Sequence, residues 1–163
     1  MRATTVILLI AILALFGCSS DPEKPVPVAE PSPKAPPRTV QLHMVVSEQA
    51  NPDVDERPSP IVIRIYELKS LGKFEVGDFD KLFENYDSYL GPELIGSEEY
   101  HLKPGDVNII KRTLSDETRY IAVSAAFRDI NQALWKDTIQ LTDEKITDVL
   151  VFIEKLNISV WKK

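Results

Sequence analysis

Residues 61–69 read Ile-Val-Ile-Arg-Ile-Tyr-Glu-Leu-Lys. Ile61, Ile63 and Ile65 alternate with Val62, Arg64 and Tyr66. A period of two places one set on each face of an extended chain, so this stretch predicts a half-buried strand. The same period appears on either side of it. Val40, Leu42, Met44 and Val46 alternate with Thr39, Gln41 and His43. Val107 to Ile110, continuing towards Leu114, makes another strand. Tyr120 to Phe127 (YIAVSAAF) is apolar on both faces, which is the pattern of a central strand. Leu134 to Leu141, Ile146 to Ile153 and Leu156 to Trp161 complete the series, with Ile139 and Leu141 sharing a face beside Trp135. Turn formers fall between them: Pro104-Gly105-Asp106, Ser115-Asp116-Glu117, Asp129-Ile130-Asn131 and Thr142-Asp143-Glu144. Seven or eight short strands at this spacing predict an all-β protein built as a two-sheet sandwich.

One segment departs from the period of two. Phe79, Leu82, Phe83, Tyr86, Tyr89 and Leu90 recur at helical spacing, with Asp78 as the N-cap and Gly91-Pro92 as the stop. Glu93 to Ile95 is expected to add one more turn. A short helical insertion, about residues 71–95, therefore lies between strands 2 and 3. Its aromatic stripe is expected to pack against a sheet rim; an aromatic ligand cage is the alternative.

The chain before residue 39 is of another kind. Met1-Arg2 supplies a positive start, and Val6 to Phe16 is an unbroken apolar run of eleven residues. That falls short of the roughly 20 residues needed to cross a bilayer and fits the apolar region of an export signal. Leu15-Phe16-Gly17-Cys18 resembles the bacterial lipobox, Leu-x-(Gly/Ala)-Cys. That resemblance implies cleavage between Gly17 and Cys18 and a diacylglycerol on the Cys18 sulfur, with the freed amine acylated as well. Residues 1–17 would then be removed and Cys18 would head the mature chain. Acyl chains contribute about 0.8 kcal/mol per buried methylene, so two or three of them hold a protein on a membrane permanently. Ser19, rather than Asp, follows the cysteine, which implies transfer to the outer membrane. Seven of the twenty residues from Ser19 to Arg38 are proline. Such a segment favours extended polyproline-like conformations, and at about 3.1 Å per residue it would reach up to about 60 Å. Residues 18–38 are thus read as an acylated cysteine and a tether, and 39–163 as the folded domain.

The formal net charge is −6, and Lys and Arg are scattered, so no nucleic-acid footprint is present. The single cysteine leaves no internal disulfide and, once acylated, no thiol nucleophile. His43 and His101 both sit in strand patterns. The chain holds no H-E-x-x-H, G-x-S-x-G or P-loop. Glu98 and Glu99 are adjacent on a strand and point to opposite faces, a poor acid/base pair. No enzyme, cofactor, metal or small-molecule substrate is expected. Asn51-Pro52-Asp53-Val54-Asp55 imitates the start of an EF-hand, but Glu56 stands where Gly is needed and Val62 where Glu is needed. A looser cation site is the remaining alternative to an exposed acidic loop. That loop, Ser47 to Pro60, is fourteen residues without periodicity, and loops of this length in compact domains are usually functional or disordered. Pro58 and Pro60 stiffen its exit, which lowers the entropy lost on binding.

From this loop onward the chain resembles a known family. Asn51-Pro52-Asp53, then Arg57-Pro58-Ser59-Pro60 entering the 61–69 strand, is similar to the TssJ family (SciN, VasD), outer-membrane lipoproteins of the type VI secretion system. Asp78-Phe79 with Leu82-Phe83, Leu90-Gly91 with Glu93-Leu94, the Pro104-Gly105 turn, and Ala125-Ala126-Phe127-Arg128-Asp129 with Trp135 match in order. Glu56 departs from the pattern, where relatives often carry Gly before the Arg. The resemblance implies a transthyretin-like sandwich in the periplasm, anchored to the outer membrane. It implies docking of the C-terminal periplasmic domain of TssM, an inner-membrane protein, through the loop between strands one and two. Carried onto this chain, the contact falls on Asn51, Pro52, Asp53, Val54, Asp55, Glu56, Arg57 and Pro58. A lipid-anchored carrier binding a small ligand in the sandwich is the alternative function.

Overall fold

The computed structural model of the chain describes residues 37–142 and 146–163. Cys18, Gly17, the expected export signal and nearly all of the expected tether therefore lie outside the described residues, as does most of the expected turn at 142–144. The described chain enters at Arg38. Its guanidinium donates to the carbonyls of Ser115 and Thr118, and its own carbonyl accepts the Leu114 N–H.

Eight strands form two four-stranded sheets. They are β1 (Thr39–Val46), β2 (Ile61–Leu68), β3 (Leu94–Leu102), β4 (Val107–Thr113), β5 (Tyr120–Ala125), β6 (Lys136–Gln140), β7 (Ile146–Ile153) and β8 (Ile158–Lys162). One sheet runs β4-β1-β7-β8 and the other β3-β2-β5-β6. All neighbouring pairs are antiparallel except β1 and β7, which run parallel. The expected all-β sandwich is what forms. YIAVSAAF supplies β5, which lies between β2 and β6 as its two apolar faces require. The strand expected from Leu134 is shorter, with Leu134 making only an isolated bridge to Asn157 before β6 begins.

Alternation decides the core. Val40, Leu42, Met44 and Val46 of β1 meet Ile61, Ile63 and Ile65 of β2 between the sheets, with Ile121, Val123, Val149 and Val151 beside them. At one end Glu67 reaches across the interior to Arg112 of β4 at 3.1 Å and accepts a hydrogen bond from Thr118, tying the two sheets together.

The helical insertion differs from expectation in shape and place. Instead of one helix there are four short turns: α1 (Gly72–Val76), a π-turn (Asp80–Glu84), α2 (Tyr86–Leu90) and a 3₁₀ turn (Gly91–Glu93). Asp78 does accept the Lys81 N–H, as a capping side chain should. The break comes at Asn85. Its N–H reaches back five residues to the Asp80 carbonyl and its side-chain amide donates to the same oxygen, which competes with continuation of the helix. Gly91, at φ +55, ends α2, and Leu94 already belongs to β3. The insertion also lies over the outer face of β2 and β5, not at a rim. Phe74, Leu82 and Leu90 pack on Tyr66, Leu68 and Ala122 as a second, smaller core. Three polar clamps hold it there. The Tyr66 hydroxyl donates to the Leu82 carbonyl, Arg64 donates to the Phe83 carbonyl, and the Lys136 ammonium donates to the carbonyls of Phe74, Glu75 and Gly77 at 2.8–2.9 Å.

Candidate partner-docking site

The loop between β1 and β2 is built on hydrogen bonds at its base. The Ser47 N–H donates to the Ile153 carbonyl and the Asn51 N–H to that of Lys155, which stitches the loop to the end of the β7–β8 hairpin. The Ser59 N–H returns to the Ala50 carbonyl and closes the neck. Asn51 is the key of this base. At 2% exposure its side chain is inside the protein, donating to the Pro60 carbonyl at 2.7 Å and accepting the Arg128 N–H at 2.7 Å. Its φ of 52° is the left-handed region that Asn tolerates better than other side-chain-bearing residues.

Above the base, residues 53–57 fold into a miniature hairpin. The Asp53 N–H donates to the Arg57 carbonyl and the Glu56 N–H to the Asp53 carbonyl. This is a three-residue connection whose last position is left-handed, the place glycine favours. Glu56 occupies it at φ 61° and pairs with Lys155. Asp53 holds the turn from inside. Its carboxylate accepts N–H bonds from Asp55 and Arg57 and a third from the Arg57 guanidinium at 2.9–3.0 Å. The backbone N–H of Arg57, first among these, draws the Asp53 carboxyl below the usual carboxylate range. Arg57 also spans to Asp55 at 2.9 Å. The acidic side chains that suggested a cation site are thus spent on Arg57. Among the described residues, no group of three His, Cys, Asp or Glu is placed to hold a metal.

The eight residues expected to form the docking loop therefore divide. Asn51 faces inward as a strut. Pro52 and Asp53 are half-buried. Val54, Asp55, Glu56, Arg57 and Pro58 form the exposed rim, with Val54 fully exposed at the tip. Sequence reading missed two supports, Lys155 and the Arg128 amide. Arg128 lies in the Ala-Ala-Phe-Arg-Asp stretch that carried the resemblance, but nothing in a linear pattern joins 51 to 128.

The other candidates stay apart. His43 lies on β1 and His101 on β3, in different sheets, each beside a carboxylate: Asp148 at 3.2 Å and Glu99 at 3.1 Å. Glu98 turns to Arg112 and Glu99 to Arg64, on opposite faces as expected. A cleft of about 440 Å³ lined by Asp78, Phe79, Asp80, Ile130, Asn131 and Trp135 sits at the insertion, outside the sandwich core.

Residues 38–160 match the type VI secretion lipoprotein family, T6SS-SciN, described by its members VasD, EvfM and TssJ. The chain belongs to this family. Among curated proteins, none matches it significantly in sequence. Among solved structures, the T6SS lipoprotein TssJ1 from Pseudomonas aeruginosa is similar at a TM-score of 0.76 and 28% identity, covering 78% of this chain and 98% of that one. Lip of Serratia marcescens, a membrane-bound component of the type VI secretion system, has a TM-score of 0.72 at 23% identity, covering 78% and 98%. A chain in a structure of the T6SS protein TssM C-terminal domain from EAEC has a TM-score of 0.63 at 22% identity, covering 76% and 98%. The family is one of structural lipoprotein components, not of enzymes. A type VI secretion lipoprotein does its work at a membrane, held by lipid.

Proposed function

We propose that this chain is an outer-membrane lipoprotein on the periplasmic side, acylated at Cys18, that docks the periplasmic domain of TssM through the rim of the 47–60 loop. The observation that carries the proposal is the pre-built loop: a fully exposed Val54 is held at the tip of a turn whose polar groups are already paired internally. Such a loop loses little entropy on binding and offers an apolar anchor ringed by charge. Family membership and the fold likeness to a chain in a TssM C-terminal-domain structure support the choice of partner.

The chain direction fits the same role. The tether joins β1 at Thr39 and the loop leaves it after Val46. Eight residues at about 3.4 Å each separate anchor and grip by roughly 25 Å within one strand. The test is binding of the TssM periplasmic domain by Val54→Asp and by a Gly-Ser replacement of 53–57. Loss of at least tenfold in affinity with an unchanged melting temperature is the expected result. Wild-type affinity in both variants would remove the loop from the interface.

A further inference from the structure

The two sheets are finished differently on their outer faces. The helical insertion covers one. On the other, strand register aligns Val107, Val45, Phe152 and Ser159 in one row and Ile109, His43, Leu150 and Trp161 in the next. Six of these eight are large and apolar. Val107 is 66% exposed, Ile109 60% and Trp161 44%, and the Phe152 and Trp161 rings meet at 6.4 Å. The following row, Lys111, Gln41 and Asp148, is polar. His43 turns towards this row, bonding Gln41 and Asp148 at 3.1 and 3.2 Å, so its polar atoms are satisfied away from the apolar rows. The apolar half lies at the Val46 end of β1, beside the 47–60 loop; the polar half lies at the Thr39 end, where the tether enters.

We propose that the partner gripped by the 47–60 loop also presents an apolar segment that lies across this half-face, so that loop and face form one interface. The proposal rests on the loop reading above. Two observations favour this occupant. Four strands at about 4.8 Å and two rows at about 6.8 Å give a footprint of roughly 260 Å². A stable pair needs about 800 Å² from each partner, so the face is too small to hold a second copy alone and is completed by the surface it adjoins. That surface is the loop, hydrogen-bonded to the strand end through Ser47 and Asn51. An anionic lipid surface fits less well, because Glu48, Asp53, Asp55 and Glu56 outnumber their ion-pair partners Arg57 and Lys155 at the same end.

The test uses the full acylated chain in detergent micelles and the TssM periplasmic domain as probe. Ile109→Lys combined with Trp161→Ser should weaken binding at least tenfold with the melting temperature unchanged, while Gln41→Lys, in the polar half, should leave it as it is. Wild-type affinity in the double variant overturns the inference. If Val54→Asp still weakens binding in that case, the loop reading survives alone; if neither weakens it, both readings fail. In vesicles of brominated lipid, quenching of the emission that Trp161→Ser removes would assign the face to the bilayer and also overturn the inference. So would a concentration-dependent dimer dissolved by the double variant.

Discussion

Asn51→Ala should unseat the loop at a cost large enough to measure by unfolding. The amide makes two bonds of 2.7 Å, to the Pro60 carbonyl and from the Arg128 N–H, in a side chain that is almost wholly buried. Alanine would leave both backbone groups unpaired, and each buried polar group so orphaned costs about 1–3 kcal/mol. It would also place a Cβ without a local hydrogen bond at φ 52°, where an ordinary residue carries a penalty of about 1–2 kcal/mol. Pro60 and Arg128 border solvent, so water recovers part of the loss. The sum is therefore taken near its lower end, about 3–4 kcal/mol. For a domain of this size each kcal/mol lowers the melting temperature by about 3–5 °C, so the expected drop is about 10 °C. Asn51→Gly separates the parts, because glycine accepts the left-handed backbone and loses only the two bonds. Asn51→Asp keeps the acceptor for Arg128 but turns a carboxylate towards the Pro60 carbonyl, and should destabilise at least as much as alanine. Chemical denaturation of the three variants gives the numbers. An alanine variant within about 0.5 kcal/mol of wild type would refute the assignment of Asn51 as the strut of the loop, since changes of that size are ordinary for surface positions.

Three further outcomes are expected, two from the geometry and one from the lipobox resemblance. Asp53 has its carboxyl held below its usual value near 3.8, so its ordering of the loop is fully present above that pH and is lost as pH falls through the lower folded value; amide exchange at Arg57 should accelerate only in that acid window, and Asp53→Asn should show fast exchange already at neutral pH. Lys136→Met removes the donor shared by three carbonyls of the insertion and should cost about 2–3 kcal/mol, reduced from the sum of three charged bonds because the ammonium is partly screened; unfolding by denaturant with near-UV circular dichroism of Trp135 reads it. Cys18→Ala should abolish incorporation of labelled palmitate and leave the precursor uncleaved, and unchanged labelling would sink the lipobox reading.

The sandwich was legible because its signal is local. Alternation in 39–46 and 61–66 depends on neighbouring residues alone, and burial then follows parity without exception through Ile65. At Tyr66 the parity signal fails for a physical reason. Residues 65 to 68 are all buried, because a second layer covers the outward face, and that layer comes from residues 74–94. Periodicity likewise located the aromatic stripe but could not foresee the break at Asn85. A single amide competing for the Asp80 carbonyl leaves the hydrophobic spacing intact. The loop illustrates a third limit. Its length and prolines marked it, but its rigidity comes from Asn51, Asp53 and Arg57, whose roles depend on partners at Arg128, Lys155 and the loop's own backbone. Acidic residues in an exposed loop read as a cation site until the cation is found to be Arg57 of the same loop.

The position of β1 gives the arrangement a mechanical sense. If Cys18 is held in one membrane and the loop holds a partner rooted in another, any pull between them enters at Thr39 and leaves after Val46. It therefore runs along β1. This strand is internal to its sheet, paired with β4 from Thr39 to Val45 along one edge and with β7 from Thr39 to Val46 along the other. A load parallel to a strand stretches those ladder bonds together, whereas a load applied across an edge strand would open them one at a time. Val40, Leu42, Met44 and Val46 add the sandwich core to the resistance, since sliding β1 by one residue would turn all four out of the core. The loop base continues the path: Ser47 and Asn51 pass the load to the β7–β8 hairpin through the carbonyls of Ile153 and Lys155. An edge strand such as β4 or β8 could carry a tether and a binding loop equally well for location alone. If tether and grip are as proposed, placing both on the strand with two bonded edges suits a part that transmits force.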